Sequence, residues 1–383
     1  MNKFIFRSIL VSIVVAIASL ALAQTIHLGV NLELSGRFAT IGTTSLQGIE
    51  AALELSGADV QLSVCDNATT AEGSVACANR FVDEGVLAVL GPISTTHAIP
   101  AAEVLQQAGI IMISTASTNP ATTQVGDKIF RMSYTDDFQG KVAARYAVND
   151  LGATSAIVFR QQDDDYSFGL ANFFDEEFQL LGGSTVVVDY VANTVDFSAQ
   201  INDVLGTPAD VIYFSGFCAE GAALVPALRA AGFDQQIIGA DASDDSQCPV
   251  GGGPAFDGFI FTGFGGADVL SGEAATRASA FATEFRVVFP DATDFNGFTL
   301  SGADTLNVMV EAVRVAGSTE PAAVLAALQG LENFPGVSGE ITYAGTDGTP
   351  ADRTIAFFSY HVPGTDGSEW NSSALFGIST AAD

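Results

Sequence analysis

Short apolar runs recur along the chain, each bounded by turn residues and followed by a longer stretch whose apolar positions fall every three or four residues. The runs Thr25–Leu32 (TIHLGVNL), Val60–Cys65, Val86–Pro92 and Ile110–Ser114 read as strands buried on both faces. Between them, Ser45–Leu55, Ser74–Val82 and Ala98–Ala108 have helical spacing. Such alternation predicts a parallel sheet covered by helices.

The pattern then restarts. Tyr146–Arg160, Ser184–Val191, Ala209–Phe217 and Gln235–Asp241 supply a second strand set, and Tyr166–Gly182 and Ala219–Phe233 supply helices with glycine at or near their ends. After the apolar run Gly258–Phe264 come two long helical stretches, Ala274–Val288 and Leu300–Ala316, and strand patterns return at Ser338–Gly345 and Thr354–Val362. The fold class is therefore α/β, with two lobes of similar design, each a mainly parallel sheet flanked by helices.

The N-terminus stands apart. Lys3 and Arg7 precede an apolar run, Ser8–Leu22, that ends in Ala21–Ala23. This predicts that residues 1–23 are a signal peptide removed on export to the periplasm, because the run is too short for a spanning helix. No cysteine follows the expected cut, so no lipid anchor is expected there.

Charge narrows the partners. The formal charge is -30, and loss of Lys3 and Arg7 makes it -32, with Lys128 and Lys141 the only lysines left. Such a surface repels nucleic acid and anionic lipid, while solubility and a saline habitat both account for it. A negatively charged ligand stays possible where local donors receive it.

Four cysteines in an exported chain point to disulfides, for which sequence allows three pairings. The local pairs Cys65 with Cys77 and Cys218 with Cys248 are the expected ones. No His or Cys spacing matches a zinc site, and neither a dinucleotide fingerprint nor a phosphate loop is found, so no metal or cofactor is expected.

Two hydroxyl clusters carry the candidate chemistry. Ser94, Thr95 and Thr96 follow one strand, and Ser114, Thr115, Ser117 and Thr118 follow the next. In an open parallel sheet ligands bind beyond the carboxyl ends of the strands. There, backbone N–H groups and hydroxyls hold a carboxylate without a basic residue, although the same residues also serve as helix caps. Asp163, Asp164 and Asp165 lack the spacing of a calcium loop and read as a solvated acidic loop. His27, His97 and His361 are scattered, and His97 reads as a surface residue at a helix start. With no activated nucleophile and no G-x-S-x-G elbow, catalysis is not expected.

The segments Gly29–Gly36 (GVNLELSG), Gly91–Ser114, Ile129–Gly140 (IFRMSYTDDFQG), Asp165–Ala171 (DYSFGLA) and Val211–Phe233, in this order, resemble the periplasmic branched-chain amino-acid-binding proteins. These are the type I solute receptors of ABC importers, and the resemblance covers essentially the whole exported chain. It implies two lobes joined by three crossovers that close on a ligand between them. On that resemblance, residues 24–133 with 265–338 form one lobe and 134–264 with 339–383 the other, with hinges near Arg131–Asp136, Thr262–Gly266 and Ser338–Thr342. Thr95 matches the α-carboxylate hydroxyl; Ala116, Ser117 and Thr118 match the second site, with the Ala116 carbonyl for the ammonium and Thr118 for the carboxylate. Tyr166 and Phe217 match the cleft aromatics of the second lobe, and Asp241 the acid that pairs with the ammonium. Asp244 and Asp245 compete for that last role, but Asp241 directly follows a strand. Ser94 joins the set, and Ile41, Ile93 and Phe217 suggest an apolar side-chain pocket. The implied protein is a monomeric receptor that hands an amino acid to a membrane permease. The rival readings are a receptor for an amide, a urea-like compound or an aromatic acid, and a sensory module of the same fold.

Overall fold

The computed structural model describes residues 25–266, 268–361 and 371–379, so the expected signal segment lies outside the described residues. Strands β1 (Ile26–Leu32), β2 (Val60–Asp66), β3 (Ala88–Leu90), β4 (Ile111–Ser114) and β5 (Ile129–Arg131) form a parallel sheet in the order β2-β1-β3-β4-β5. Helices α1 (Ala39–Ser56), α2 (Ala71–Glu84), α3 (Thr95–Ala108) and the short α4 (Ala121–Gln124) connect them. Not every strand is buried on both faces as the sequence suggests: β2 alternates between half-buried and exposed positions, because it sits at the sheet edge.

The chain then passes through α5 (Asp136–Asn149) into a second sheet. Strands β6 (Ser155–Gln161), β7 (Ser184–Tyr190), β8 (Val211–Phe214), β9 (Gln236–Gly239) and β10 (Ile260–Phe264) are mutually parallel, with helices α6 (Asp165–Leu180), α7 (Ser198–Val204), α8 (Cys218–Ala230) and α9 (Gln247–Gly252) between them. Of the apolar stretch Tyr146–Arg160 only the C-terminal part is strand, and Tyr146 still belongs to α5.

From β10 the chain returns to the first lobe as α10 (Gly272–Val288), α11 (Gly297–Ala316) and α12 (Pro321–Gln329), followed by a two-stranded antiparallel pair, β11 (Phe334–Gly336) with β12 (Gly339–Ile341). Helix α11 starts three residues before the predicted Leu300: Asn296 caps it by accepting from the Phe298 N–H, while the Thr299 hydroxyl accepts from the Asn296 N–H.

The return to the second lobe comes later than the sequence suggests. Residues after β12 still hold the first sheet: the Tyr343 hydroxyl donates to the Arg131 carbonyl at 2.7 Å, and the Arg131 N–H donates to the Gly348 carbonyl at 3.0 Å. Re-entry is at β13 (Thr354–His361), which pairs antiparallel with β10 and with β14 (Asn371–Ser379), giving the order β14-β13-β10-β9-β8-β6-β7. The apolar run Ser338–Gly345 reads as one strand, yet only Gly339–Ile341 is strand, pairing with β11 after a turn whose Val337 and Ser338 N–H groups donate to the Asp304 carboxylate at 2.9 and 2.7 Å.

Helices α1 and α11 pack closely enough to need glycine. A Cβ on Gly302 would lie 2.3 Å from the Ser45 carbonyl oxygen, and one on Gly48 would lie 2.0 Å from the Thr299 oxygen. Gly302→Ala is therefore expected to destabilise the protein by about 2 kcal/mol through overpacking, read as a drop in the denaturant midpoint. An unchanged midpoint would show that the two helices separate freely.

Both expected disulfides form, Cys65–Cys77 and Cys218–Cys248, and no free cysteine is found among the described residues.

Candidate functional site

Each hydroxyl cluster follows a strand of the first sheet, at the carboxyl ends that face the second lobe. After β3 the chain places Ile93, Ser94 and Thr95 at the start of α3. Their backbone is held by Glu33, at the end of β1, whose fully buried carboxylate accepts the N–H groups of Ile93 and Ser94, each at 3.2 Å, and contacts His97 Nδ1 at 2.8 Å. His97 is thus buried, correcting the surface position expected for it; packing against Glu33 and Phe38 encloses its ring. The Thr95 hydroxyl is already engaged, 3.1 Å from Ser117 Oγ and 3.4 Å from the Asn119 N–H it accepts. Ser94 Oγ, by contrast, is buried without a partner.

The loop after β4 carries Ala116, Ser117 and Thr118, and Arg131 anchors it. The buried guanidinium donates to the carbonyls of Ser117 at 3.0 Å and Pro120 at 3.2 Å, and to the Thr123 hydroxyl at 3.1 Å. Burial lowers its pKa to about 10, so it still carries charge at neutral pH. Ser117 faces away from the cleft: its hydroxyl bonds Thr95 and Thr122, and its carbonyl meets Arg131 and Ser133.

The second lobe supplies the facing wall. Tyr166 lies in the first turn of α6, which Asp164 caps by accepting the Ser167 N–H at 2.9 Å. Asp164 is buried and also accepts from the Thr96 hydroxyl at 2.9 Å, so the acidic run is not wholly solvated; capping and an interlobe hydrogen bond hold its middle residue in place. Phe217 precedes α8, and Asp241 and Ala242 follow β9. The Asp241 Oδ1 accepts from the Tyr166 hydroxyl at 2.8 Å and from Gln139 Nε2 at 2.9 Å, while that amide also donates to the Thr262 hydroxyl at 2.8 Å.

Ile41, Ile93, Ser94, Thr95, Ala116, Thr118, Tyr166, Phe217, Asp241, Ala242 and Phe298 line one cavity between the lobes. Every residue singled out from the sequence for ligand contact is there except Ser117. Asp244 and Asp245 fall elsewhere, in a separate groove with Asp294 and Asn296. Two lining residues were missed. Ala242 lacks any chemical signal, and Phe298 was hidden by the late start assigned to its helix.

Electrostatically the cavity is one-sided. Burial pushes the Asp241 carboxyl up to about 6, against the lowering effect of its two side-chain donors, and no cation pairs with it among the described residues. Nearby Asp136 is fully buried, and burial, with the Asp241 charge adding, pushes its carboxyl well above its ordinary value against the lowering effects of Thr118 and Arg131. Asp136 does not line the cavity, so Asp241 is the acid on the cavity wall itself. Opposite stand hydroxyls and amides. Such a lining offers a counter-charge for a cationic group at Asp241, polar partners for an anionic group at Ser94 and Thr118, and an apolar surface at Ile41, Ile93, Phe217 and Phe298.

A family model described as periplasmic binding protein matches residues 25–365. An amino acid binding protein of Pseudomonas aeruginosa is 30% identical over 341 residues, covering 84% of this chain and 88% of the relative. A Leu/Ile/Val-binding protein of Rhizobium johnstonii is 29% identical, covering 90% and 94%. Among solved structures, a leucine-binding protein from Thermotoga maritima superposes with a TM-score of 0.86 at 27% identity, covering 93% of this chain and 99% of that one.

Proposed function

This chain belongs to the periplasmic binding protein family, and on that premise we propose that it captures an amino acid with an apolar, branched-chain-like side chain in the periplasm and delivers it to an ABC importer. The observation that carries the ligand class is Asp241, a buried carboxylate on the cavity wall with hydrogen-bond donors but no cation. An ammonium group supplies the missing charge, and the unpartnered Ser94 hydroxyl, with Thr118, receives the α-carboxylate. Bound ligand touches both lobes, so it favours the closed state, whose shape the permease reads. The lobes turn about the crossovers after β5 and β10 and before β13. No step of this role needs bond chemistry, so the chain acts by binding alone.

A thermal-shift screen of residues 24–383, freed of carried-over ligand by unfolding and refolding, tests the ligand class against amino acids, amides and aromatic acids. At about a hundred times its dissociation constant a ligand adds about 2.7 kcal/mol, a visible rise in melting temperature. A selective response to leucine, isoleucine or valine is expected. Silence from all amino acids with a response to an aromatic acid or amide would overturn the ammonium reading of Asp241.

A further inference from the structure

Besides hydrogen bonds such as Thr96–Asp164, the two lobes meet through Arg37, a residue that does not line the cavity. Arg37 lies on the loop between β1 and α1 in the first lobe, and its Nη1 donates across the cleft to Glu220 Oε1 at 2.9 Å and Gln161 Oε1 at 3.2 Å in the second. Among the described residues this is the only ion pair that joins the lobes; the others lie within one lobe. Its guanidinium also lies 4.3 Å from the Phe38 ring centroid and 5.2 Å from that of Phe217, and these two rings are 4.1 Å apart. Phe217 in turn sits 5.3 Å from Tyr166, and both line the cavity.

We propose that Arg37 is a positioning residue that fastens the closed lobes over the cavity, binding Glu220 across the seam and stacking on Phe38 and on Phe217, the second of which forms part of the cavity wall. The proposal rests on the cavity being the ligand site. Three physical arguments support it. Glu220 is buried, with one oxygen unpartnered and the other shared only with Arg37 and the Asn193 N–H, so opening the seam strips a buried carboxylate of its cation. With 44 acidic against 14 basic residues in the sequence, the approaching lobes repel, and a cation at the seam offsets part of that repulsion. The stack on Phe217 couples the latch to the ligand: a side chain that seats Phe217 correctly also seats Arg37, while one that displaces the ring weakens the ion pair.

The effect falls on ligand escape, since the latch forms only after closure. Arg37→Met, which keeps an unbranched stem and removes the charge, is expected to raise the dissociation rate of L-leucine about tenfold with the association rate within about twofold, the size of one charge-assisted hydrogen bond. Glu220→Gln is expected to match it, and the double variant to be no worse than either alone. Additive losses in that cycle, or a loss confined to the association rate, would overturn the latch. If the unmodified protein does not bind L-leucine, the amino-acid reading fails by itself. The latch is then read on the amide or aromatic acid that responds in the thermal-shift screen, where a faster dissociation from Arg37→Met supports it and an unchanged dissociation rate overturns it.

Discussion

Replacing Asp241 by asparagine is expected to weaken binding of L-leucine at least about a hundredfold while raising the stability of the ligand-free protein, two effects of opposite sign from one atom change. The loss follows because an ammonium in a closed cavity needs a charged partner, and removing one member of a buried pair costs about 2–5 kcal/mol. The gain follows from burial. The Asp241 carboxyl titrates near 6 in the folded chain against about 3.8 when exposed, so ionising it in place opposes folding. A raised folded pKa means that the favourable contribution is complete below about pH 4 and is lost as pH climbs through 6. At pH 8 the wild-type protein therefore bears the full burden, about 2–3 kcal/mol from the size of the shift, and asparagine removes it. The asparagine side-chain oxygen can still accept from Tyr166 and Gln139, so the geometry survives. Melting curves of the two proteins should differ most at pH 8 and converge near pH 4. The same ionisation governs affinity, since only the charged form attracts the ammonium. L-Leucine should bind with constant strength above about pH 7 and lose roughly tenfold per unit below pH 6. A variant that keeps its leucine affinity would remove Asp241 from the ammonium role.

Removing the Cys218–Cys248 bridge, by changing both residues to alanine, is expected to cost about 3–4 kcal/mol and to weaken binding as well. The stability part comes from the loop the bridge closes in the unfolded chain, 30 residues apart against 12 for Cys65–Cys77, for which about 3 kcal/mol is expected. The binding part comes from position. Cys218 opens α8 directly after Phe217, and Cys248 lies in α9 just beyond the turn that carries Asp241 and Ala242, so the bridge ties together two parts of the cavity wall. Cys65 and Cys77 join β2 to α2, at the edge of the first sheet, where no cavity residue lies. Denaturation should show both pairs to be stabilising, whereas calorimetry should show a lowered leucine affinity only for the Cys218–Cys248 variant. Equal affinities in the two variants would separate the bridge from the site.

Much of the cavity was legible in the sequence for a specific reason. Parallel strands leave their carboxyl ends on one side, so Ser94 and Ala116 gather at the end of the first sheet and Phe217 and Asp241 at the end of the second, while that the two sets face one cleft is what the family resemblance implied. Residues away from strand ends were harder to read. Phe298 enters the cavity from a helix start whose capping box begins at Asn296, a polar residue that the apolar periodicity of Leu300–Ala316 does not include. Arg37 and Glu220 are 183 residues apart, and nothing local to either indicates the other.

The sequence by itself determined the alternation of buried strands and amphipathic helices, the two-lobed α/β plan and the loops that follow its strands, because each depends on local patterning or on short-range order, whereas the disulfide pairing was one of three it allowed. The tertiary structure decided how those loops are used. It engaged Thr95 and Ser117 with each other and left Ser94 Oγ buried without a partner, made His97 and Asp164 interior residues, kept the chain on the first sheet as far as Gly348, and set Arg37 across the cleft from Glu220. Burial and pairing are properties of surfaces brought together from distant parts of the chain, so no window of sequence contains them.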